Sequence, residues 1–576
     1  MHMLFDKLNK VEQWIFDGLS MALVLFYSYS AVVEPAATQY HRGIYIIITY
    51  ILVFLLYKSK TTIGRVFDYV LILLSIGTIG YWILNFEAIN YRMGAETDLD
   101  KAIAVVGVLI GVELARRVVG IVFVVIGAIM LLYGVYGEYA PELISHAGDT
   151  FPELATSIFF KSDGVFGIMA NVLATYIILF VIFGAFLEKS GAQRFFIDFP
   201  LAAVGHKIGG PGKVSVIASG LFGSISGSAI ANTVSTGSFT IPMMKKAGFK
   251  PHVAGGIEPA ASIGGMFMPP IMGAGGFIMA ELTGLPYSQI MLVAIFPALM
   301  YFFSVFVMVH YEAKKHNIVG EKSEESAMAI LKREWFYILP LVVITIFMLL
   351  GYSPGYSAIL GIVTCIVVSW FRKETRIGPR RFLEASRAGA EASLKIGATV
   401  GVIGIIIGVL TYSGLVLTFA DIVIELADGK LWLTILLIAL ASLILGMGVP
   451  VTAAYLITAV VAVPALTELG VNPIAAHMIV YWLSQDSNIT PPVCIAAFAG
   501  ATIAKANMWK TAFTSFKFAK FLYLAPFIFG YVPAFSLDGT TTDIAIVFFL
   551  VFVGTYGYSW LLSGIWLDYF KKAPAK

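Results

Sequence analysis

The chain has 576 residues, 59% of them hydrophobic, with a mean hydropathy of +0.87 and a formal net charge of +3. Apolar residues make up about half of a soluble globule, so this composition excludes one. A charge so small, and confined to loops, gives no ground for nucleic-acid binding; two cysteines inside apolar runs, Cys365 and Cys494, speak against a disulfide framework or a metal centre.

Apolar runs of the roughly 20 residues needed to cross a bilayer recur along the whole chain. The first third offers spans at about 14–36, 43–57 and 67–85, and two further apolar stretches, 101–116 and 118–137, meet at ARRVVG. The N-terminal MHMLFDKLNKVEQW carries mixed charge and is followed by no small-residue cleavage pattern, so it reads as a retained first helix. The loop KSKTTIGR (58–65) is basic and the segment 85–100 leans acidic, which places the first in the cytoplasm and the second outside. A cytoplasmic turn at Arg116-Arg117 gives five spans and leaves 138–164 as an external, periplasmic linker. The alternative is one long tilted helix through 101–137 with Glu113 and Arg116 paired at i,i+3.

From 165 onward a span ends at LEKSGAQR, and an amphipathic stretch leads to KIGGPGK (207–213). The charged loops 310–335 and 372–381 are both expected in the cytoplasm, with only GYSPGYS exposed between the two spans that separate them. Arg387, Glu391 and Lys395 share one helical face at i,i+4, as an in-plane bracing helix or an ordinary solvated helix start would have them. The basic YFKKAPAK at 569–576 fits the cytoplasmic side, with the N-terminus.

One hydrophobic segment occurs twice. Pro242, Gly248, Pro251, Ser262 and Pro269-Pro270 each have a counterpart 222 residues later, at Pro464, Gly470, Pro473, Ser484 and Pro491-Pro492. By charge parity the first copy (about 165–310) enters the membrane from outside and the second (about 393–533) from inside, so the repeats are inverted. Paired segments interrupted by Gly, Ser and Pro point to a secondary transporter with its site where the copies meet.

The segment SGSAIANTVSTGS (226–238) holds more Gly, Ser, Thr and Asn than a spanning helix normally does. Close helix packing is one explanation; unwound backbone lining a cavity is the other, and the matched second copy favours it. Flanks of about 10 residues are too short to span singly, so a re-entrant hairpin is expected here and again near 446–455. Candidate substrate or ion ligands are Ser226, Ser228 and Asn232 in the first hairpin, and Gly446, Gly448 and Thr452 in the second. A Pro pair cannot continue a helix. A break is therefore expected in the residues before each pair, lined by Ser262, Gly264 and Gly265 in the first copy. In the second it is lined by Ser484, Asp486, Ser487, Asn488 and Thr490.

A carboxylate at membrane depth suggests a coupling-ion or proton site. Asp486 is the main candidate, with Glu258, one helical turn before Ser262, beside it. Each has a plainer reading as a salt-bridged, hydrated or structural carboxylate. His477 is a further proton-relay candidate, although a lone His among apolar residues is more often structural. No GxSxG, HExxH, Walker A or dinucleotide fingerprint occurs. The chain is therefore expected to be no enzyme, to use no cofactor, and to draw on an ion gradient.

The sequence resembles TRAP transporter permeases, specifically the fused type that works with TAXI-class binding proteins. The resemblance is carried by ELARRVVG (113–120), LYGVYG (132–137), FGAFLEKSGAQRFFID (183–198), residues 209–251, ASIGGMFMPPIMGAGGFIMAE (261–281) and NITPPVCIAAFAGATIA (488–504). It implies an all-α polytopic fold of inverted repeats with two re-entrant hairpins and broken helices. A small-subunit-like region (1–137) would be fused to a large-subunit-like region (165–576). It also implies an elevator in the inner membrane of a bacterium or archaeon, a periplasmic binding protein that delivers a small organic acid, and Na+ as the usual coupling ion, held at the residues above. Two departures stand out: the hairpin tips are neutral, and SQDSN before the second Pro pair is unusually polar, which reopens proton coupling at Asp486. Sodium remains the preferred ion. A stand-alone ion-coupled organic-anion carrier or exchanger is the alternative; a membrane enzyme or channel fits less well.

Overall fold

In a computed structural model, residues 4–447 and 449–566 are described. They are helical throughout, with one isolated β-bridge (Ile208–Val319) and no strand among them. Helices α1 (Lys10–Val32), α2 (Thr38–Leu56), α3 (Thr62–Leu84), α4 (Phe86–Tyr91), α5 (Asp98–Val118) and α6 (Ile121–Val135) come first. They are followed by α7 (Phe151–Phe160), α8 (Ile168–Val172) and α9 (Ile178–Lys189), the last two joined through a π-helical turn. The first repeat continues with α10 (Ala192–Val204), α11 (Gly210–Ser226), α12 (Ala229–Lys246), α13 (Pro251–Gly264), α14 (Gly275–Thr283) and α15 (Tyr287–Lys315). Helices α16 (Ala327–Glu334), α17 (Leu339–Leu349) and α18 (Pro354–Ser369) connect it to α19 (Pro379–Gly397), α20 (Val400–Ser413) and α21 (Leu415–Leu426). The second repeat continues through α22 (Leu431–Leu445), α23 (Val451–Glu468), α24 (Pro473–Leu483), α25 (Ile495–Ala504), α26 (Met508–Phe518) and α27 (Phe521–Tyr531), before α28 (Thr541–Ser563).

Among the described residues nine helical stretches are long and apolar enough to cross a membrane. The spans expected in the first third appear as α1, α2 and α3, shifted by a few residues. The stretch 101–137 is two helices: Gly120 at φ 122° separates α5 from α6, a backbone state that favours glycine. Glu113 nevertheless pairs with Arg116 (2.7 Å) and also with Arg117 (2.7 Å) in the last turn of α5. The stretch 138–164 contains α7, which packs against α5.

The 222-residue offset governs the helices themselves. It carries α12 (229–246) onto α23 (451–468), α13 onto α24 with Pro251 and Pro473 at their first positions, and α9 onto α20. Both Pro pairs are cis, at Pro269-Pro270 and Pro491-Pro492. After α12, Gly248 (φ 108°) ends the helix, with Phe249 N–H donating to the Met244 carbonyl at 3.1 Å. After α23, Gly470 (φ 87°) does the same, with Val471 N–H on Leu466 at 3.1 Å. This is a glycine stop followed by a proline start, repeated at one spacing.

The chain folds as two compact bodies. One comprises Met1–Lys189, Tyr352–Leu426 and Gly448–Ala465; the other comprises Ser190–Gly351, Ala427–Met447 and Leu466–Lys576. In the first, α5 and α20 meet backbone to backbone: a Cβ on Gly111 would lie 2.9 Å from the Gly401 Cα. Small residues permit such approaches between membrane helices. Asp68, fully buried, accepts from Ser59 N–H (2.8 Å), Arg65 (3.2 Å) and Arg117 (2.6 Å). On the expected Arg387–Glu391–Lys395 face of α19, the Arg387 guanidinium grips Asp17 of α1 through two bonds of 2.6 and 2.7 Å, as a bracing helix would. A two-pronged bond to a carboxylate is stronger than a solvated i,i+4 contact. Asp17→Asn should lower stability by about 1 kcal/mol, read as a lower melting temperature in detergent; an unchanged melt would show the grip to be energetically idle.

Candidate functional site

The second body holds the first hairpin, both Pro-pair breaks and most of the candidate residues. Helix α11 ends at Gly227 (φ 65°), and Ser228 caps α12 by accepting from Ala231 N–H at 3.3 Å. The hairpin is therefore present, but the backbone is unwound only at Gly227-Ser228. Asn232 and the rest of the polar segment lie on regular helix α12 against α11 and α13, which corrects the expectation of a long unwound stretch. Ser238 satisfies its hydroxyl within the helix, on the Ser235 carbonyl at 2.9 Å.

Fully buried Glu258 on α13 is enclosed by hydroxyls. Ser215 (2.5 Å) and Thr240 donate to its Oε2; Ser219 (2.5 Å) and Thr236 donate to Oε1, with Ser262 3.4 Å away. Each of three helices contributes an i,i+4 pair: 215/219 from α11, 236/240 from α12, 258/262 from α13. Beside this cage Asn232 donates to the Ser219 carbonyl at 3.0 Å, while its Oδ1 and the Thr233 hydroxyl are buried without partners.

Ser262 and Gly264 belong to α13 itself and Gly265 caps it, so the first break runs from 265 to 274 and, of the three expected lining residues, includes only Gly265. The reason is in the hydrogen-bond ladder. Pro269 and Pro270 lack the N–H groups that would serve carbonyls 265 and 266, whereas the ladder up to 264 is untouched. Tyrosines take up the exposed carbonyls. The Tyr481 hydroxyl lies 2.6 Å from the Met266 carbonyl and 2.5 Å from that of Met272. Tyr287 reaches Pro270 (2.9 Å) and Ile271 (2.6 Å). Tyr481→Phe should cost about 1–3 kcal/mol by leaving buried carbonyls unpaired, measured by thermal unfolding; wild-type stability would mean that the carbonyls find other donors.

In the second copy α24 stops at Leu483, Ser484 caps it, and a 3-10 turn (Asp486–Asn488) follows. Asp486 is 3% exposed and its Oδ1 has no partner; both polar atoms of the Gln485 side chain are also buried without one. Ser487 lies against Gly446, where a Cβ would collide with its hydroxyl, so the C-terminal end of α22 faces this turn. Thr490 bonds Tyr523 at 2.5 Å. Tyr523 is the 222-residue counterpart of Tyr301, which donates to the Ala260 carbonyl of α13 at 2.7 Å. Thr452 is the second residue of α23, and Gly448 and 569–576 lie outside the described residues. His477, on α24, borders a cleft of about 660 Å³ with Asn472, Asp538 and Gln289; no other candidate residue lines that cleft.

The Ser215, Ser219, Thr236 and Thr240 hydroxyls and the clasping tyrosines were not singled out from sequence. The i,i+4 spacing of the hydroxyls was the available signal. Lys520, also missed, is 4% exposed and donates to Ser304 Oγ at 2.8 Å. Among the described residues no group of three His, Cys, Asp or Glu could hold a metal ion.

Several known proteins are similar. The C4-dicarboxylate TRAP transporter large permease protein DctM of Pseudomonas aeruginosa is 26% identical over 400 residues, 66% of this chain and 91% of that one. The 2,3-diketo-L-gulonate TRAP transporter large permease protein YiaN of Escherichia coli is 24% identical (62% and 83% covered). The sialic acid TRAP transporter large permease protein SiaM of Vibrio cholerae is 23% identical (60% and 80%). Among solved structures, the Alcanivorax borkumensis YdaH transporter aligns with a TM-score of 0.45 and 16% identity, covering 75% of this chain and 99% of that one. The family model for the tripartite ATP-independent periplasmic transporter, DctM component, matches residues 106–535. This multi-pass membrane chain belongs to that transporter family.

Proposed function

We propose that the chain is the permease of a binding-protein-dependent system that imports a small organic acid across the inner membrane, driven by an ion gradient. The observation that carries this reading is the pair of broken helices at one offset, the second lined by the buried polar side chains of Gln485 and Asp486, in a chain of the TRAP family. Relatives named for C4-dicarboxylate, diketo-L-gulonate and sialic acid share a carboxylate, which supports an organic acid as cargo. Residues 1–105 of the small-subunit-like region 1–137 lie outside the family match. That supports a fused permease whose partner is a TAXI-class binding protein.

Ser226, Ser228, Ser262, Gly264 and Gly265 are proposed to form one half-site, and Gly446, Ser484, Asp486, Ser487, Asn488 and Thr490 the other. The C-terminal end of α22 offers carbonyls, and Asp486, whose Oδ1 has no partner, offers charge, for a cation such as Na+. Motion of the elevator kind would carry cargo and ion together. The full-length protein in nanodiscs should bind the purified, acid-loaded binding protein encoded beside it. If neither the loaded nor the empty protein binds, the stand-alone carrier becomes the better reading.

A further inference from the structure

We propose that the hydroxyl cage around Glu258 is a dehydrated site for a monovalent cation, Na+ or a proton, which meets the first helix-break half-site only at Ser262. This rests on reading the chain as an ion-coupled permease.

The first argument is the donor set. Six side-chain oxygen donors, one carboxylate and five hydroxyls, converge from α11, α12 and α13, all at most 1% exposed. A hydroxyl has one proton and two lone pairs. Thr236 and Thr240 are within reach of helix carbonyls as well as of Glu258, at 2.7 Å to Asn232 and 3.1 Å to Thr236. Each can therefore turn its proton to the backbone and present a lone pair to a cation. The unpartnered Asn232 Oδ1 lies beside the cage as a further oxygen.

The second argument is charge. A carboxylate at membrane depth is costly without a compensating charge, and among the described residues no cation of the protein is bonded to this one. Around α13, Lys213 of α11 bonds His310 of α15 and Lys245 of α12 bonds the Ala504 carbonyl. Lys246 pairs with Glu321, Glu312 of α15 with His316, and Tyr301 with the Ala260 carbonyl. Tyr287 and Tyr311 of α15 bond backbone carbonyls and Tyr556 respectively. Lys314 and Lys315 end α15, His252 begins α13, α25 carries no titratable side chain, and Lys510 and Lys517 of α26 make no bond to Glu258. Hydroxyl dipoles lower the cost of the charge, but only a bound cation removes it.

The third argument comes from the other repeat. The positions 222 residues after Ser215, Ser219, Thr240 and Glu258 are Leu437, Ala441, Ala462 and Val480, and only Thr236 and Ser262 keep hydroxyls there, at Thr458 and Ser484. The same helices form there at matched register without a carboxylate. The cage is thus no requirement of the repeated helix pattern, and a second function accounts for its presence in one copy only.

The test uses the full-length protein in proteoliposomes. Glu258→Gln keeps the size and hydrogen-bonding capacity of the side chain and removes its charge. It should lower gradient-driven accumulation of acid about tenfold, while exchange of labelled for unlabelled acid at equal ion concentrations persists. Separate Na+ and proton gradients on the wild type, with radiolabelled Na+ binding, identify which cation the cage takes. Wild-type accumulation and Na+ binding by Glu258→Gln under both gradients would overturn the proposal. If that variant does not fold, Ser219→Ala with Thr236→Val, which retains the carboxylate, should weaken the ion dependence; unchanged ion dependence overturns the proposal equally. Absence of any acid uptake by wild type would refute the transport reading instead, while a Na+ or proton affinity lost in Glu258→Gln would still establish the site.

Discussion

Gly265→Val is expected to abolish uptake and to lower the melting temperature of the protein. An ideal Cβ on Gly265 collides with the backbone of Gly223, the Gly223 carbonyl oxygen being 3.0 Å away. Conversely, a Cβ on Gly223 would lie 3.0 Å from the Gly265 Cα. Helix α11 and the first break thus meet through main chain, and no flexible side chain can yield. Overpacking of this kind costs about 1–3 kcal/mol, and relief requires moving α11, which carries Ser215 and Ser219. Gly554→Ala on α28 is the control, since nothing lies within 4 Å of its added methyl. Gly265→Val with wild-type melting and uptake would show that the break tolerates separation from α11.

Asp486→Asn is expected to lower gradient-driven uptake about tenfold or more without lowering stability. The carboxylate is buried with Oδ1 unpartnered, next to a glutamine whose side chain is equally unpartnered. Removing a buried charge that has no partner does not destabilise a fold; removing one member of a pair does. The two roles therefore separate in one pair of measurements, uptake under an ion gradient and thermal unfolding. Loss of stability with retained coupling would assign Asp486 a structural role.

The periodic features of this fold were legible because they are written in single residues at fixed spacing. Gly248 and Gly470 stop helices, Pro251 and Pro473 start them, and the Pro pairs break them, so an offset in the sequence becomes an offset in the structure. The second break falls where the sequence places it, at Ser484–Thr490. The first starts later than expected, because loss of the Pro269 and Pro270 N–H groups frees carbonyls only from 265 onward and leaves Ser262 and Gly264 helical.

What was not legible depends on which faces meet. Glu258 was a candidate on charge and depth alone, and its four closest hydroxyl donors lie 18 to 43 residues away on two other helices. Their i,i+4 spacing shows that each pair shares a face, but not that the faces converge. Arg387 illustrates the same limit: its partner Asp17 is 370 positions distant, and a local i,i+4 reading could not find it.

The central claim, a permease that takes an organic acid from a binding protein and is driven by an ion gradient, is tested most directly by uptake into proteoliposomes. Labelled acid would be supplied with and without the purified binding protein, under an inward Na+ gradient. Accumulation only when both the binding protein and the gradient are present is the predicted result. Equal accumulation without the binding protein, or without any ion gradient, would contradict it.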